Sequence, residues 1–167
     1  AMGALPSVRG WEKYGIYLTA EKPFWMGETV RHSWGTGTTG NFFGPVLTIS
    51  SGSSVAKATI NNPGDLDAWP LWTLIGPVAS ASLGLNGRQI QVPFAIPAGK
   101  ALQINTDPTV QTIMYGDWVA DPKGGGRVAN GQDRFTDMGA IDFTPIPSGR
   151  NVPLQITLQE PERGADV

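Results

Sequence analysis

Several residue types that would identify a function are scarce or missing in this sequence. There is no cysteine among the 167 residues, which excludes a disulfide framework, a thiolate metal site and a papain-like nucleophile. The single histidine, His32, stands beside Ser33 and Trp34 and is more typical of a surface residue than of a catalytic base. No window approaches about 18 apolar residues and no basic segment precedes an apolar core at the N-terminus. We therefore expect neither a membrane span nor a secretion signal.

Motifs for cofactors, acyl transfer and nucleic acid are also missing. No Gly-x-Ser-x-Gly elbow occurs, and neither Arg88, Lys100 nor the glycines of 124–126 lie in the spacing of a phosphate-binding loop. The formal charge is -2 and the basic residues are scattered singly, so no nucleic-acid surface is expected. We predict no cofactor, and a hydrolase on a β-fold is the poorest fit.

The composition favours β-structure. The chain contains 22 glycines and 14 prolines, which interrupt helices along its whole length. No segment keeps helical apolar spacing over two turns. Short apolar runs separated by turn residues follow one another from Pro45 onward. The pattern predicts an all-β, antiparallel two-sheet sandwich of jelly-roll type with little helix, although periodicity alone does not separate a sandwich from a closed barrel.

The predicted strands can be given in order. They cover residues 46–50, 55–60, 69–75, 80–85, 88–92, 94–96, 101–105, 109–114, 141–143 and 152–158. Asn86-Gly87 predicts a two-residue hairpin, because both residues tolerate positive φ. In the last strand Val152, Leu154, Ile156 and Leu158 share one face, which is typical of a sheet with one wet side.

The run from 61 to 77 combines a polar turn, an aromatic strand and a Gly-Pro stop. Asp65 and Asp67 are two residues apart and could ligate Ca²⁺, but Asp in a Pro-Gly turn more often caps its own backbone, so no metal site is assigned. Both faces of the following strand are largely apolar, which predicts a central, buried strand with at least one tryptophan in the core. The residues of this turn and strand motif are Pro63, Gly64, Asp65, Trp69, Pro70, Trp72, Gly76 and Pro77.

A long polar stretch covers residues 117–137 and predicts a mobile loop, because it carries too little apolar surface to hold itself. Trp118 in this stretch could stack on a sugar ring, or it could anchor the loop. The stretch also contains Asp117, Asp121 and Arg127, which we take with Trp118 as the candidate carbohydrate or partner contacts. Its carboxylates could pair as acid and base, but carboxylates in a Gly-rich loop are usually solvated.

The predicted organisation has four parts. Residues 1–3 are typical of a cloning scar, 4–45 form a connector of irregular or short-strand structure, 46–160 form the sandwich, and 161–167 form a flexible tail.

Six pieces of sequence occur in an order that points to a known family. They are 20–25 (AEKPFW), 42–45 (FFGP), 62–72 (NPGDLDAWPLW), 76–77 (GP), and 98–100 (AGK) followed by 102–108 (LQINTDP). Together they resemble the C-terminal domain of siphovirus-type distal or minor tail proteins of actinobacterial phages and prophages. Two positions depart from that family, which usually has an acidic residue where Lys22 stands and an Asp where Asn105 stands.

The resemblance implies a structural protein of the virion tail tip with a galectin-like or carbohydrate-module-like sandwich and no catalysis. It implies other tail proteins as partners, and a homo-oligomeric ring formed only by the full-length protein, since the ring-forming domain would precede residue 4. The alternative is a carbohydrate-binding module that attaches the particle to a host cell-surface glycan.

Overall fold

The computed structural model describes residues 29–35, 46–48, 58–122 and 125–159, together with the single positions 15, 17, 19 and 27. The chain divides into two compact units, Ala1–Val30 and Arg31–Val167. In the first unit the described side chains of Tyr17 and Val30 are exposed. Every strand described below belongs to the second unit.

Among the described residues of the second unit, ten strands and one short 3-10 helix follow one another along the chain. Two antiparallel sheets of four strands carry the fold: sheet I has the order β3-β10-β5-β6 and sheet II the order β4-β7-β8-β9. A separate parallel pair joins β1 to β2. The elements are β1 Ser33–Gly35, β2 Val46–Thr48, β3 Thr59–Asn61, β4 Leu71–Ile75, β5 Ser80–Leu85, β6 Arg88–Val92, β7 Lys100–Asn105, β8 Thr112–Ala120, β9 Gly126–Asp133, the 3-10 helix Phe135–Asp137 and β10 Asn151–Gln159.

The core lies between the two sheets and is built by period-two alternation. On β10, Val152, Leu154, Ile156 and Leu158 are buried while the residues between them are half-buried or exposed, as the sequence predicts. Sheet II contributes Leu102 and Ile104 of β7 and Ile113 of β8 to the same cluster, among others. These findings confirm the antiparallel two-sheet sandwich.

The hairpin predicted at Asn86-Gly87 is confirmed. β5 and β6 pair from Leu85 with Arg88 to Ala81 with Val92, and the two turn residues have φ of 53° and 82°. Both turn residues therefore adopt the left-handed conformation that a tight two-residue turn with right-handed twist requires.

The loop predicted for residues 117–137 is wrong over most of its length. β8 continues to Ala120 and pairs with β9, which runs from Gly126 to Asp133, and the 3-10 helix follows. The first half of β8 is held by the core through Ile113 and Tyr115. A strand anchored in this way offers a ready backbone ladder, so the polar stretch can pair without a buried face of its own.

The prediction that residues 69–75 form a central strand is also wrong. β4 is the outermost strand of sheet II, and its burial alternates: Trp72 and Leu74 are buried, whereas Leu71, Thr73 and Ile75 are exposed. Apolar residues on both faces of a strand therefore do not imply that other parts of the protein pack on both faces. The prediction that one tryptophan lies in the core is confirmed by Trp72, which is 8 % exposed.

Several predicted boundaries shift. Residues 94–96 and 141–143 form no strand; Ile96 makes an isolated bridge with Val78, and Ile146 makes one with Ala68. β8 begins at Thr112 rather than at 109 because the backbone turns at Asp107, whose carbonyl accepts hydrogen bonds from Val110 and Gln111. Some predicted parts lie outside the described residues: 1–3, most of 4–45, 51–57 and 161–167. The cloning scar, most of the connector and the flexible tail therefore stay predictions.

Candidate functional site

The turn before β4 is organised by Asn62, a residue that the sequence reading did not single out. Asn62 is 6 % exposed, and its Nδ2 donates to the carbonyls of Leu66 at 2.7 Å and Ile146 at 2.9 Å. Its Oδ1 accepts a hydrogen bond from the Gly64 amide at 3.0 Å. An Asn directly before Pro-Gly is the sequence signal that could have identified this Asx turn.

One of the two acidic residues of the same turn, Asp67, contacts a distant segment of the chain rather than its own turn. Asp67 Oδ1 accepts a hydrogen bond from the Ser148 amide at 3.2 Å, which ties the turn to the segment before β10. Asp65 and Pro63 are exposed. Over the described ranges, no group of three His, Asp or Glu side chains is placed to hold a metal ion.

The remaining motif residues position β4 at both ends. Trp69 is 37 % exposed, and the Pro70 carbonyl accepts a hydrogen bond at 2.7 Å from the hydroxyl of Thr106, a fully buried residue. At the other end the Gly76-Pro77 peptide is cis, and a Cβ on Gly76 would lie against the carbonyl oxygens of Ile96 and Pro97. Only glycine fits this close approach of two backbone segments.

A polar cluster lies where β7, β8 and β9 run side by side. Lys100 Nζ donates to Asp117 Oδ1 at 2.6 Å, and Asn130 Nδ2 donates to Asp117 Oδ2 at 3.0 Å. The hydrogen bond and charge of Asp117 raise the pKa of Lys100 above its ordinary value of 10.5. The hydrogen bonds from Lys100 and Asn130, with the lysine charge, lower the pKa of Asp117 below its ordinary value of 3.8. The cluster is exposed to solvent, so it favours pairing of these strands only modestly.

The four candidate contact residues do not share one face of the β8–β9 pair. Asp117 lies opposite Ala129, Trp118 opposite Val128, and Arg127 opposite Val119. Because side chains alternate along a strand, Asp117 and Arg127 point to one side and Trp118 to the other. Asp121 follows the end of β8, where its amide donates to the Gly125 carbonyl at 3.0 Å.

Trp118 is half-buried, and its six-membered ring lies against Gly126 on the neighbouring strand. A Cβ at Gly126 would collide with this ring and with the Val119 carbonyl. The indole therefore packs on backbone that has no side chain of its own, which holds the end of the β8–β9 pair.

The other carboxylates of the predicted loop also have local partners. Asp133 Oδ1 accepts a hydrogen bond from the Phe135 amide at 2.8 Å, and Asp137 pairs with Arg134 at 2.6 Å. The Arg134 guanidinium in turn lies over the rings of Phe94 and Tyr115, at 5.9 Å and 5.2 Å from their centroids. These contacts give the acidic residues roles in local structure.

Four of the seven large apolar side chains that are exposed in the described part of the second unit lie in β4 or shortly before it. Leu71 and Ile75 are 56 % and 47 % exposed, and Leu66 and Trp69 in the preceding turn are also exposed. We call Leu71, Thr73 and Ile75 the β4 edge. Exposed apolar side chains on an edge strand form the kind of surface through which proteins contact each other.

Comparisons with known proteins identify no similar protein. No protein-family model, no curated protein and no solved structure matches this chain. None of the helices in the described part of the chain is long and apolar enough to cross a membrane.

Proposed function

We propose that this chain is a non-catalytic structural domain of a phage tail tip, which works by contacting neighbouring tail proteins. Its place would be in the virion, between the tail tube and the host-recognition apparatus. The order of the sequence pieces that resemble distal and minor tail proteins suggests this role.

The residues that carry the resemblance support the proposal through the positions they occupy. Pro63 and Gly64 lie in the turn that Asn62 holds, Trp72 fills the core, and Gly76 permits the close approach to Pro97. They are the residues that fix the course of the chain into and out of β4. A shared series of this kind is expected of a common scaffold rather than of a common active site.

The observation that carries the proposal is the exposed apolar β4 edge with Leu66 and Trp69 beside it. A sandwich whose core is closed has no need of these side chains for its own stability, since they lie on its outer face. They are suited to burial against another protein, where apolar side chains at the centre of a contact contribute most of the affinity.

Contact of this kind requires a rigid body and repeated copies. The aliphatic core between the sheets holds the outer faces in one geometry. If several copies are arranged around a tail axis, contacts that are weak singly become strong together, because each further contact forms at high effective concentration.

Immunogold electron microscopy tests the proposal on phage particles whose genome encodes this chain. An antibody raised against the purified chain should label the tail end distal to the head, and preadsorption of the antibody with the chain should remove the label. Gold on the capsid or along the tail shaft, or particles that carry no copy of the chain by mass spectrometry, would contradict it.

A glycan array separates the structural role from a carbohydrate-binding module. The structural role predicts a clean array for the purified chain. Binding to a cell-wall glycan that is lost in Trp118→Ala and retained in Trp69→Ala would assign the chain to the alternative class, with Trp118 as the stacking residue.

A further inference from the structure

The strand β4 has one side of its backbone without a partner strand. Within the described residues β4 pairs with β7 alone, and the Gly76 amide donates to the Lys100 carbonyl at 3.0 Å at the end of that pairing. In an antiparallel pair every second residue along a strand bonds to the partner strand. Because Gly76 bonds to Lys100, the other even-numbered residues, Trp72 and Leu74, also bond to β7. The N–H and C=O groups of Leu71, Thr73 and Ile75 therefore point away from the sheet.

The side chains of the β4 edge are exposed, apolar or uncharged. Leu71 and Ile75 are about half exposed and Thr73 lies between them on the outer face of sheet II. No ionisable residue occurs between Ala68 and Gly87. The edge therefore presents a flat row of one large apolar side chain, one hydroxyl and a second large apolar side chain.

The other three edges of the sandwich are protected in ways that β4 is not. The edge of β6 is occupied, because the Gln91 amide donates to the Ala140 carbonyl at 2.8 Å and the Gly139 amide donates to the Gln91 carbonyl at 3.0 Å. The edge strand β9 carries the charged residues Arg127 and Asp133, and β3 is only three residues long. Short strands, charges and covering segments are the common protections of sheet edges, so the uncharged β4 is the exception.

We infer that the β4 edge is a self-association surface, on which β4 of a second copy of this chain pairs antiparallel about a two-fold axis through Thr73. In this register Leu71 of each copy lies opposite Ile75 of the other, and Thr73 lies opposite Thr73. All three outward-facing residues of each strand then donate and accept, and the two apolar side chains at each end lie side by side.

Charge and geometry favour a second copy as the occupant. Two copies of an uncharged strand meet without like-charge repulsion across the new pairing. The outward row reads apolar, hydroxyl, apolar in both directions, so the two-fold register places apolar side chains against apolar side chains and pairs every free backbone group of the row. A two-fold contact of this kind closes on itself and yields a dimer rather than a fibre.

The size of the edge limits the strength of the pairing. Pro77 is the next outward-facing residue after Ile75 and has no amide hydrogen to donate, and in the two-fold register it lies opposite Trp69, so the new pairing covers about five residues of each copy. Such a contact buries less than the roughly 800 Å² per partner of a standard interface. We expect a dissociation constant on the order of 0.1 mM, which becomes effective where copies are already held together. The inference names an occupant for the same β4 edge that carries the proposed role, and its tests use the purified chain alone, so they are decided separately from the location of the protein in a tail.

Cysteine cross-linking tests the pairing directly, because the chain has no cysteine of its own. In Thr73→Cys, the two substituted positions would face each other at a Cα separation of about 5.5 Å, within the range that a disulfide spans. The matched control is Thr112→Cys, an exposed threonine in the same cross-strand row as Leu71 but on β8. Under mild oxidation with copper phenanthroline, Thr73→Cys should form the disulfide dimer at least tenfold faster. Equal rates in the two variants would overturn the inference.

Sedimentation equilibrium of the cysteine-free chain gives a second, independent measurement. The unmodified chain should show a monomer–dimer equilibrium between 0.05 and about 1 mM, weakened at least tenfold by Thr73→Lys and unchanged by Thr112→Lys. Circular dichroism melting of both variants checks that they remain folded. A strictly monomeric chain over this range overturns the second copy as occupant, and loss of tail-protein binding in Thr73→Lys would then assign the edge to another protein.

Discussion

The strands β10 and β9 are nearly equal in length but are held in the sandwich by different means. β10 lies between β3 and β5 and buries four aliphatic side chains in the core. All eight residues of β9 are half-buried or exposed, and this strand is held by its ladder to β8, by Trp118 on Gly126 and by the hydrogen bond from Asn130 to Asp117. A strand can thus be ordered by its own burial or by that of its neighbour.

The largest expected effect on stability comes from shortening a buried side chain of β10. Leu154 is fully buried between the sheets, so Leu154→Ala should lower the free energy of unfolding by about 2–5 kcal/mol through lost burial and a residual cavity. Val128 of β9 is half-buried, and Val128→Ala should cost at most about 1 kcal/mol. Urea denaturation followed by tryptophan fluorescence measures both. Similar losses would mean that β9 contributes to the core as β10 does.

An intermediate effect is expected where β9 is held by the Trp118 ring. In Gly126→Ala the new methyl would collide with this ring and with the Val119 carbonyl, which should weaken the β8–β9 ladder by about 1–3 kcal/mol. Hydrogen exchange followed by NMR should show at least fivefold faster exchange for β9 amides and little change in β10. The control is Gly131→Ala, where the methyl meets the flexible end of Met114. Unchanged β9 exchange in Gly126→Ala would show that the ring does not hold the strand.

The smallest effect is expected from the exposed polar cluster and depends on pH. The pKa of Asp117 is lowered in the folded chain, so its contribution to stability is present above the ordinary value of 3.8 and is lost as the pH falls through the lowered value. The pKa of Lys100 is raised, so its contribution is lost only as the pH rises above 10.5. In Lys100→Met the pKa of Asp117, followed by carboxyl ¹³C NMR, should rise, whereas Lys100→Arg should largely preserve it. The same pKa in all three chains would show that Asn130 alone sets it.

Two predictions that rest on local signals agree with the structure. The Asn86-Gly87 hairpin and the alternating face of β10 depend only on residues near one another in the chain, and both are confirmed. The candidate site was harder to predict. Residues 117–137 carry no apolar period, and nothing local shows that the preceding half of β8 supplies a ladder for them.

The role of Asn62 and the position of β4 have the same physical cause. Asn62 bonds to the carbonyl of Ile146, 84 residues away, and β4 lies at an edge because only β7 reaches it among the described strands. Both depend on which distant segments are brought together. The apolar residues on the two faces of residues 69–75 were read as burial, whereas the structure leaves Leu71 and Ile75 on the surface.

The sequence by itself determines that this chain is an all-β protein with a period-two core and a tight hairpin, because those features follow from side-chain alternation and from residues that permit positive φ. The tertiary structure alone decides the strand order, the pairing of the polar β9 and the exposure of the β4 edge. Each of these depends on backbone pairing between distant segments, and the hydrogen-bonding groups of the backbone are the same at nearly every residue.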